Sequence, residues 1–316
     1  MLTDQRPQLI DAAEILRRGG LVAIPTETVY GLAADATNDH AVARIFEAKG
    51  RPQFNPLIAH VTDVDMAMRY VDLSDEALVL AQAFWPGPLT IVARRRADCA
   101  VSLLASAGLE TLGVRCPGHD LARALIAEMD SPLAAPSANR SGSVSPTRPE
   151  HVKASLNGRV DFILDGGDCK VGLESTIVKI EEGAIIVLRP GGISREDLSV
   201  VSKLPVKVTT PGAAIEAPGM MKSHYAPSVR VRLNALEARD GEIFLGFHDK
   251  AAERGLNLSP KGDLREAAAN LFAYFHHLDA ECQNKNIHTI AVAPIPDTGI
   301  GLAINDRLRR AAHQDR

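Results

Sequence analysis

The stretch from Ile24 to His60 places the tightest constraint on what this chain can fold into. Apolar residues run up to Pro25, and Thr26-Glu27-Thr28 follow at once. A buried strand that delivers a polar cluster to a sheet edge accounts for that order. Asn38-Asp39 supplies a helix cap, and Val42, Ile45 and Phe46 supply the apolar face of the helix behind it. Lys49 and Arg51 leave the end of that helix together, and Pro52 stops it. Two cations on a rigid corner beside hydroxyl groups suit an anion. A solvated helix C-terminus favours the same two residues, so this stretch alone leaves both readings open.

Length and charge bound the alternatives. A chain of 316 residues with 46% hydrophobic and 23% charged residues has ordinary globular composition, and its length suggests two domains. The formal net charge of -4 argues weakly against stable RNA binding along a broad face, so weak or no direct RNA binding is expected, with a local basic cleft left open. Cys99, Cys116, Cys169 and Cys282 are scattered without the paired short spacing of a zinc site, and no metal site is predicted. Free cysteines fit a reducing cytoplasm. The first residues lack the basic and apolar regions of a secretory signal, and no apolar run is long enough to span a bilayer, so no membrane association is expected.

The remaining pattern divides the chain. Residues 9–16 carry helical apolar spacing before Gly19-Gly20, and residues 21–24 form the first strand. Further strands are predicted over 57–61, 89–93 and 111–115, with helices opening at Ser74 and spanning 119–129. Trp85 before Pro86-Gly87-Pro88 reads as a core or turn anchor. Residues 173–178 and 184–188 form a hairpin around Glu181-Glu182-Gly183, and Ser194 caps a last short helix. From Lys203 to Ser228 prolines and glycines break the pattern, which marks a linker. Met220-Met221-Lys222-Ser223-His224-Tyr225 is too rich in large side chains for a passive spacer, so docking onto the first domain is the alternative. Strands near 229–233, 243–247 and 287–293 alternate with helices over 263–282 and 301–312, which argues for a small parallel α/β domain. The predicted division is 1–202, a linker or lid over 203–228, and 229–316.

No P-loop, no dinucleotide-binding glycine pattern and no G-x-S-x-G or H-E-x-x-H motif is present. A nucleotide would have to be held by scattered cations and by the small polar loop Ser137-Ala138-Asn139-Arg140-Ser141-Gly142. That loop, the string Pro25-Thr26-Glu27-Thr28-Val29-Tyr30-Gly31-Leu32, the Lys49-x-Arg51-Pro52 pair, Asn55-Pro56-Leu57 with His60, and the segment from Pro218-Gly219-Met220 to His224-Tyr225-Ala226-Pro227 follow one another in order. Together they resemble the YrdC-type domain of threonylcarbamoyl-AMP synthases, in the long two-domain form, over nearly the whole chain. The resemblance implies an α/β fold: a twisted, mixed, open sheet with flanking helices and a concave site, plus a smaller Rossmann-like C-terminal domain.

The resemblance also implies a site. Lys49, Arg51, Asn55, Ser137 and Asn139 would hold ATP, with Thr111, Ser145, Arg189 and Tyr225 as further contacts. Threonine would sit among Thr28, His60, Arg115, Ala135 and Ser175, with Arg115 pairing its carboxylate bidentately. Taken singly, each has an ordinary structural reading: a strand-edge threonine, a satisfied histidine, a surface ion pair, a turn serine, a strand-end cation or a linker anchor. The implied reaction joins L-threonine, bicarbonate (or CO2) and ATP into threonylcarbamoyl-AMP and pyrophosphate, and the product goes to a transferase that modifies tRNA beside the anticodon. Lys49 and Arg51 would be the catalytic neutralisers of phosphate charge, and Mg²⁺ would ride on the phosphates, since no carboxylate cage is visible. A double-stranded RNA-binding module and a different carbamoyl-transfer enzyme are the rival readings.

Overall fold

The structure, a computed structural model, describes residues 2–209, 216–219, 224–249 and 255–313. Met220 to Ser223 of the linker motif lie outside the described residues.

In chain order the first half runs α1 (Leu2–Arg17), β1 (Val22–Ile24), β2 (Gly31–Asp35), α2 (Asp39–Lys49), β3 (Ile58–His60), α3 (Val64–Ala67), β4 (Val71–Asp72), α4 (Asp75–Phe84), β5 (Leu89–Arg95), β6 (Thr111–Arg115), α5 (Asp120–Met129) and β7 (Leu133–Ala134). It continues with α6 (Pro149–Leu156), β8 (Phe162–Ile163), β9 (Thr176–Glu181), β10 (Ala184–Arg189), α7 (Arg195–Ser202) and β11 (Val206–Val208). Caps set several boundaries. Asn38 accepts hydrogen bonds from the amides of His40 and Ala41, and Gly50 closes α2 in the left-handed region at φ 59°. Ser74 caps α4, and Ser194 with Asp197 forms a capping box on α7.

Among the described residues the larger sheet has the order β11-β10-β9-β5-β6-β3-β7-β2-β1-β8, with β4 added beside β5. Parallel and antiparallel pairs mix along it, as in β3 with β6 and β5 with β6, which matches the mixed sheet expected. One departure lies in the predicted linker. Val206–Val208 pairs in parallel with β10, so the first part of 203–228 extends the sheet. Alternating valines suit a sheet edge, and the open side of β10 supplies the partner that local pattern cannot show.

The C-terminal part contains β12 (Arg230–Arg232), β13 (Glu242–Gly246), β14 (Gly255–Asn257), α8 (Leu264–Lys285), β15 (Thr289–Val292) and α9 (Gly301–Ala312). Its strands are ordered β12-β15-β13-β14, all parallel. The two parts share apolar packing. The core around Phe244, Phe272 and Phe275 also takes in Val29, Val144, Leu173 and Tyr225. At the joint, Gly172 sits at φ +72°, where an added Cβ would meet the backbone of Ala268 and Ala269 within 2.6 Å. Only glycine allows α8 that close.

Candidate active site

The ends of β3, β6, β7 and β10, the start of β9 and described residues of the linker line one cavity. Parallel pairing of β3 with β6 sets His60 beside Arg115. Parallel pairing of β5 with β9 brings Thr90 to Ser175, whose hydroxyl groups lie 2.8 Å apart. Gly191, just past β10, passes so close that a Cβ there would stand 2.3 Å from the Glu174 carbonyl. The cavity measures about 40 Å³, and Thr28, Val29, Arg51, Ile58, His60, Arg115, Ala135, Pro136, Ser137, Glu174, Ser175, Arg189, Pro218, Gly219, His224 and Tyr225 line it. That is room for a few waters.

One end is built around Arg115. Its Nη2 donates to Glu27 Oε1 at 2.6 Å and to Thr28 Oγ1 at 2.9 Å, and its Nε donates to the Gly87 carbonyl. The amide of Gly118 donates to the second oxygen of Glu27, so that carboxylate is held at both ends. Arg115 Nη1 has no partner among the described residues. His60 faces the Ile58 carbonyl through Nδ1 at 3.2 Å. Burial first, and then the neighbouring Arg115 charge, lower its pKa to about 3, so its ring is neutral.

The other end carries Arg51 and Arg189. Arg51 donates to the carbonyls of Asn55 and Pro56, and burial lowers its pKa to about 10, which leaves it charged at neutral pH. Arg189 donates to Ser175 O and Oγ and to the Pro218 carbonyl. Among the described residues neither arginine forms an ion pair. Two buried guanidinium groups answered only by neutral oxygens make a site for an anion.

All the residues predicted for threonine line this cavity, as do Arg51, Ser137, Arg189 and Tyr225 from the ATP set. Lys49, Asn55, Thr111, Asn139 and Ser145 are outside its described lining. Lys49 Nζ donates to the carbonyls of Ser137 and Asn139, so it ties down the polar loop instead of facing the cavity. The Asn139 side chain in turn bonds the carbonyls of Arg140 and Ser143. Thr111 stands at the opposite end of β6 from Arg115, beside Arg94, Lys179 and Glu216 around a separate hollow. Four residues of strand span about 13 Å. The expected two-pronged grip of Arg115 on a carboxylate also changes, because Glu27 and Thr28 already occupy Nη2.

Sequence reasoning did not assign Glu27, Glu174 or His224 to the site. Glu27 and His224 stood inside quoted motifs, which was their signal. Glu174 had none, since a carboxylate before a strand is ordinary. Among the described residues no group of three or more His, Cys, Asp or Glu side chains could hold a metal ion. Glu174 lines the cavity, yet Ser145 and Arg307 take both its oxygens.

Fold and site together define a two-domain α/β protein with a cationic, hydroxyl-lined cavity, part of whose lining is Pro218, Gly219, His224 and Tyr225. The family model described as Telomere recombination (Sua5_yciO_yrdC) matches residues 14–191, and that described as Threonylcarbamoyl-AMP synthase, C-terminal domain, matches residues 193–313. The threonylcarbamoyl-AMP synthase of Pyrococcus abyssi is 37% identical, covering 95% of this chain and 93% of the relative. That of Bacillus subtilis is 39% identical, covering 98% and 94%. The crystal structure of P. abyssi Sua5 complexed with L-threonine superposes with a TM-score of 0.86 at 35% identity, covering 96% of this chain and 94% of that one. The chain belongs to the threonylcarbamoyl-AMP synthase family, in its two-domain form.

Proposed function

We propose that the chain converts L-threonine, bicarbonate (or CO2) and ATP into threonylcarbamoyl-AMP and pyrophosphate. The observation that carries this is one cavity lined by both kinds of group. Arg115, Thr28, His60 and Ser175 suit a small hydroxylated amino acid, and Arg51 with Arg189 suits a polyphosphate. The names of the relatives and the L-threonine complex of the P. abyssi protein support the same reading.

The chemistry needs no protein nucleophile. The neutral amine of threonine adds to CO2 and loses a proton, which gives a carbamate. A carbamate oxygen attacks the α-phosphorus, the bond to the β-phosphate oxygen breaks, and pyrophosphate leaves. The protein contributes position and charge. Arg115 Nη1 and the Thr28 hydroxyl orient threonine, His60 forms a neutral wall, and Arg51 and Arg189 neutralise phosphate oxygens. Mg²⁺ bound to the triphosphate would supply further neutralisation of phosphate charge beside Arg51 and Arg189.

Pro218, Gly219, His224 and Tyr225 line the cavity, and on this reading the linker is a lid over the bound substrates. Closure behind the substrates keeps water from the carbamate and the mixed anhydride. The product passes to a tRNA threonylcarbamoyl transferase, and a net charge of -4 fits a chain that does not hold tRNA itself. Four free cysteines fit work in the cytoplasm.

The test is mass spectrometry after incubation with ATP, Mg²⁺, bicarbonate and threonine. Threonylcarbamoyl-AMP is expected, and it disappears when threonine is omitted. Absence of the adduct together with absence of pyrophosphate overturns the proposal.

A further inference from the structure

The last helix of the C-terminal domain sends one side chain into the catalytic domain. Arg307 on α9 is fully buried, and it is among the largest side chains with no exposure. Its Nε donates to Glu174 Oε2 at 2.8 Å and its Nη1 to Asp306 Oδ2 at 2.7 Å. Its guanidinium carbon lies 5.0 Å from the centroid of the Tyr225 ring. Glu174 and Tyr225 both line the cavity, and Arg307 stands behind them.

Glu174 has few choices in this position. It is 6% exposed, and its other oxygen accepts from the Ser145 hydroxyl. Burial pushes its pKa up, but the charges of Arg307 and then Arg189 outweigh burial and hold it below the usual carboxylate range. Arg189 is therefore close enough to feel the Glu174 charge, yet it forms no ion pair with it in the structure. Its hydrogen bonds go to Ser175 and Pro218. A buried carboxylate deprived of one cationic partner turns to the next.

We propose that Arg307 is a positioning residue for the nucleotide end of the site: by occupying Glu174 it leaves the Arg189 charge free for the triphosphate. The C-terminal domain then has a defined part in the reaction. It completes the electrostatics of a pocket whose lining comes from the other domain and the linker. This inference rests on the ATP reading above, and its test separates the two.

Full-length Arg307→Met and Glu174→Gln/Arg307→Met are compared with the parent by steady-state pyrophosphate release. The single variant strands a buried carboxylate beside Arg189, so the KM for ATP rises at least about tenfold and by more than the KM for threonine does. The double variant removes the stranded charge and returns the KM for ATP to within about threefold of the parent. A folded double variant whose KM for ATP remains tenfold high overturns the proposal, as does a single variant with both KM values unchanged. Should Arg307→Met not fold, the double variant alone decides. Calorimetric binding of inorganic tripolyphosphate repeats the comparison without turnover. If the parent makes no pyrophosphate from ATP and threonine, the synthase reading falls. The role of Arg307 then stands when the single variant weakens tripolyphosphate binding and the double variant restores it, and falls otherwise.

Discussion

Arg51 and Lys49 are neighbours in sequence with different duties. Both are buried cations, and the motif gives both the same expected role. The structure turns Lys49 toward loop carbonyls and Arg51 toward the cavity wall. Burial, followed by the nearby Arg51 charge, holds the Lys49 pKa well below the usual lysine value. Arg51→Ala removes one of two uncompensated charges and unties two loop carbonyls that can reach water in the emptied space. Threonine-dependent pyrophosphate release is expected to fall by about 10²-fold or more. Stability is expected to fall by only about 1–3 kcal/mol, so the variant stays folded. Stopped-assay kinetics with a thermal melt checks both, and near-normal turnover removes Arg51 from the site. Glu27 shows the complementary case. A carboxylate in the middle of the opening motif serves to fix Arg115, with Gly118 steadying it from the other side.

The linker is the element on which the site turns. It begins as strand β11 on the large sheet, packs Ala217 against Ile177 and Leu188, and lines the cavity at Pro218 and Gly219. Lys179 holds it midway through Glu216 at 3.0 Å. Gly219 stands at φ +83°, where a Cβ would come within 2.8 Å of both the Tyr225 hydroxyl and Arg189 Cδ. Gly219→Ala therefore strains the closed linker in two ways, through backbone conformation and through contact. The expected result is a loss of about tenfold in kcat/KM for ATP, about 1.4 kcal/mol, with a melting curve that shifts little. Unchanged kinetics in this variant would show that the linker does not close over the nucleotide.

At the scale of the whole molecule, two domains share a core and a set of buried histidines. His151 of α6 and His276 of α8 stack across the joint with ring centroids 3.9 Å apart, and His276 Nε2 bonds the Ser145 carbonyl at 3.1 Å. Burial first, and then the facing His276 and Arg148, lower the His151 pKa to about 3, and His60 reaches a similar value. A histidine whose folded pKa is depressed binds fewer protons than the unfolded chain between the two pKa values. Its stabilising neutral form is fully present above the ordinary value of 6.5, and stability is lost as pH falls from there toward about 3. For His60, fully buried, the loss is about 1.4 kcal/mol per pH unit. The more exposed His151 contributes less. Thermal melts from pH 8 to pH 4 are expected to show a plateau above about 7 and a fall below it. A flat profile down to pH 4 would mean that these rings do not stay neutral in the folded chain.

Local signals were enough for much of this molecule. Asn38, Ser74 and Ser194 announced their helices, and Glu181-Glu182-Gly183 announced its hairpin, because caps and turns act within a few residues. The ordered motifs hold Arg51 and Ser137, and the resemblance they carry implies Arg115 and Ser175. The tertiary structure decided which charges are buried together and which are left unanswered. Lys49 facing a loop, Thr111 beside Lys179 and Glu216, β11 on the sheet edge and Arg307 reaching Glu174 from another domain all depend on partners far along the chain. Burial and Coulomb interaction act through space, so a charge whose partner lies 133 residues away leaves no trace in its own neighbourhood.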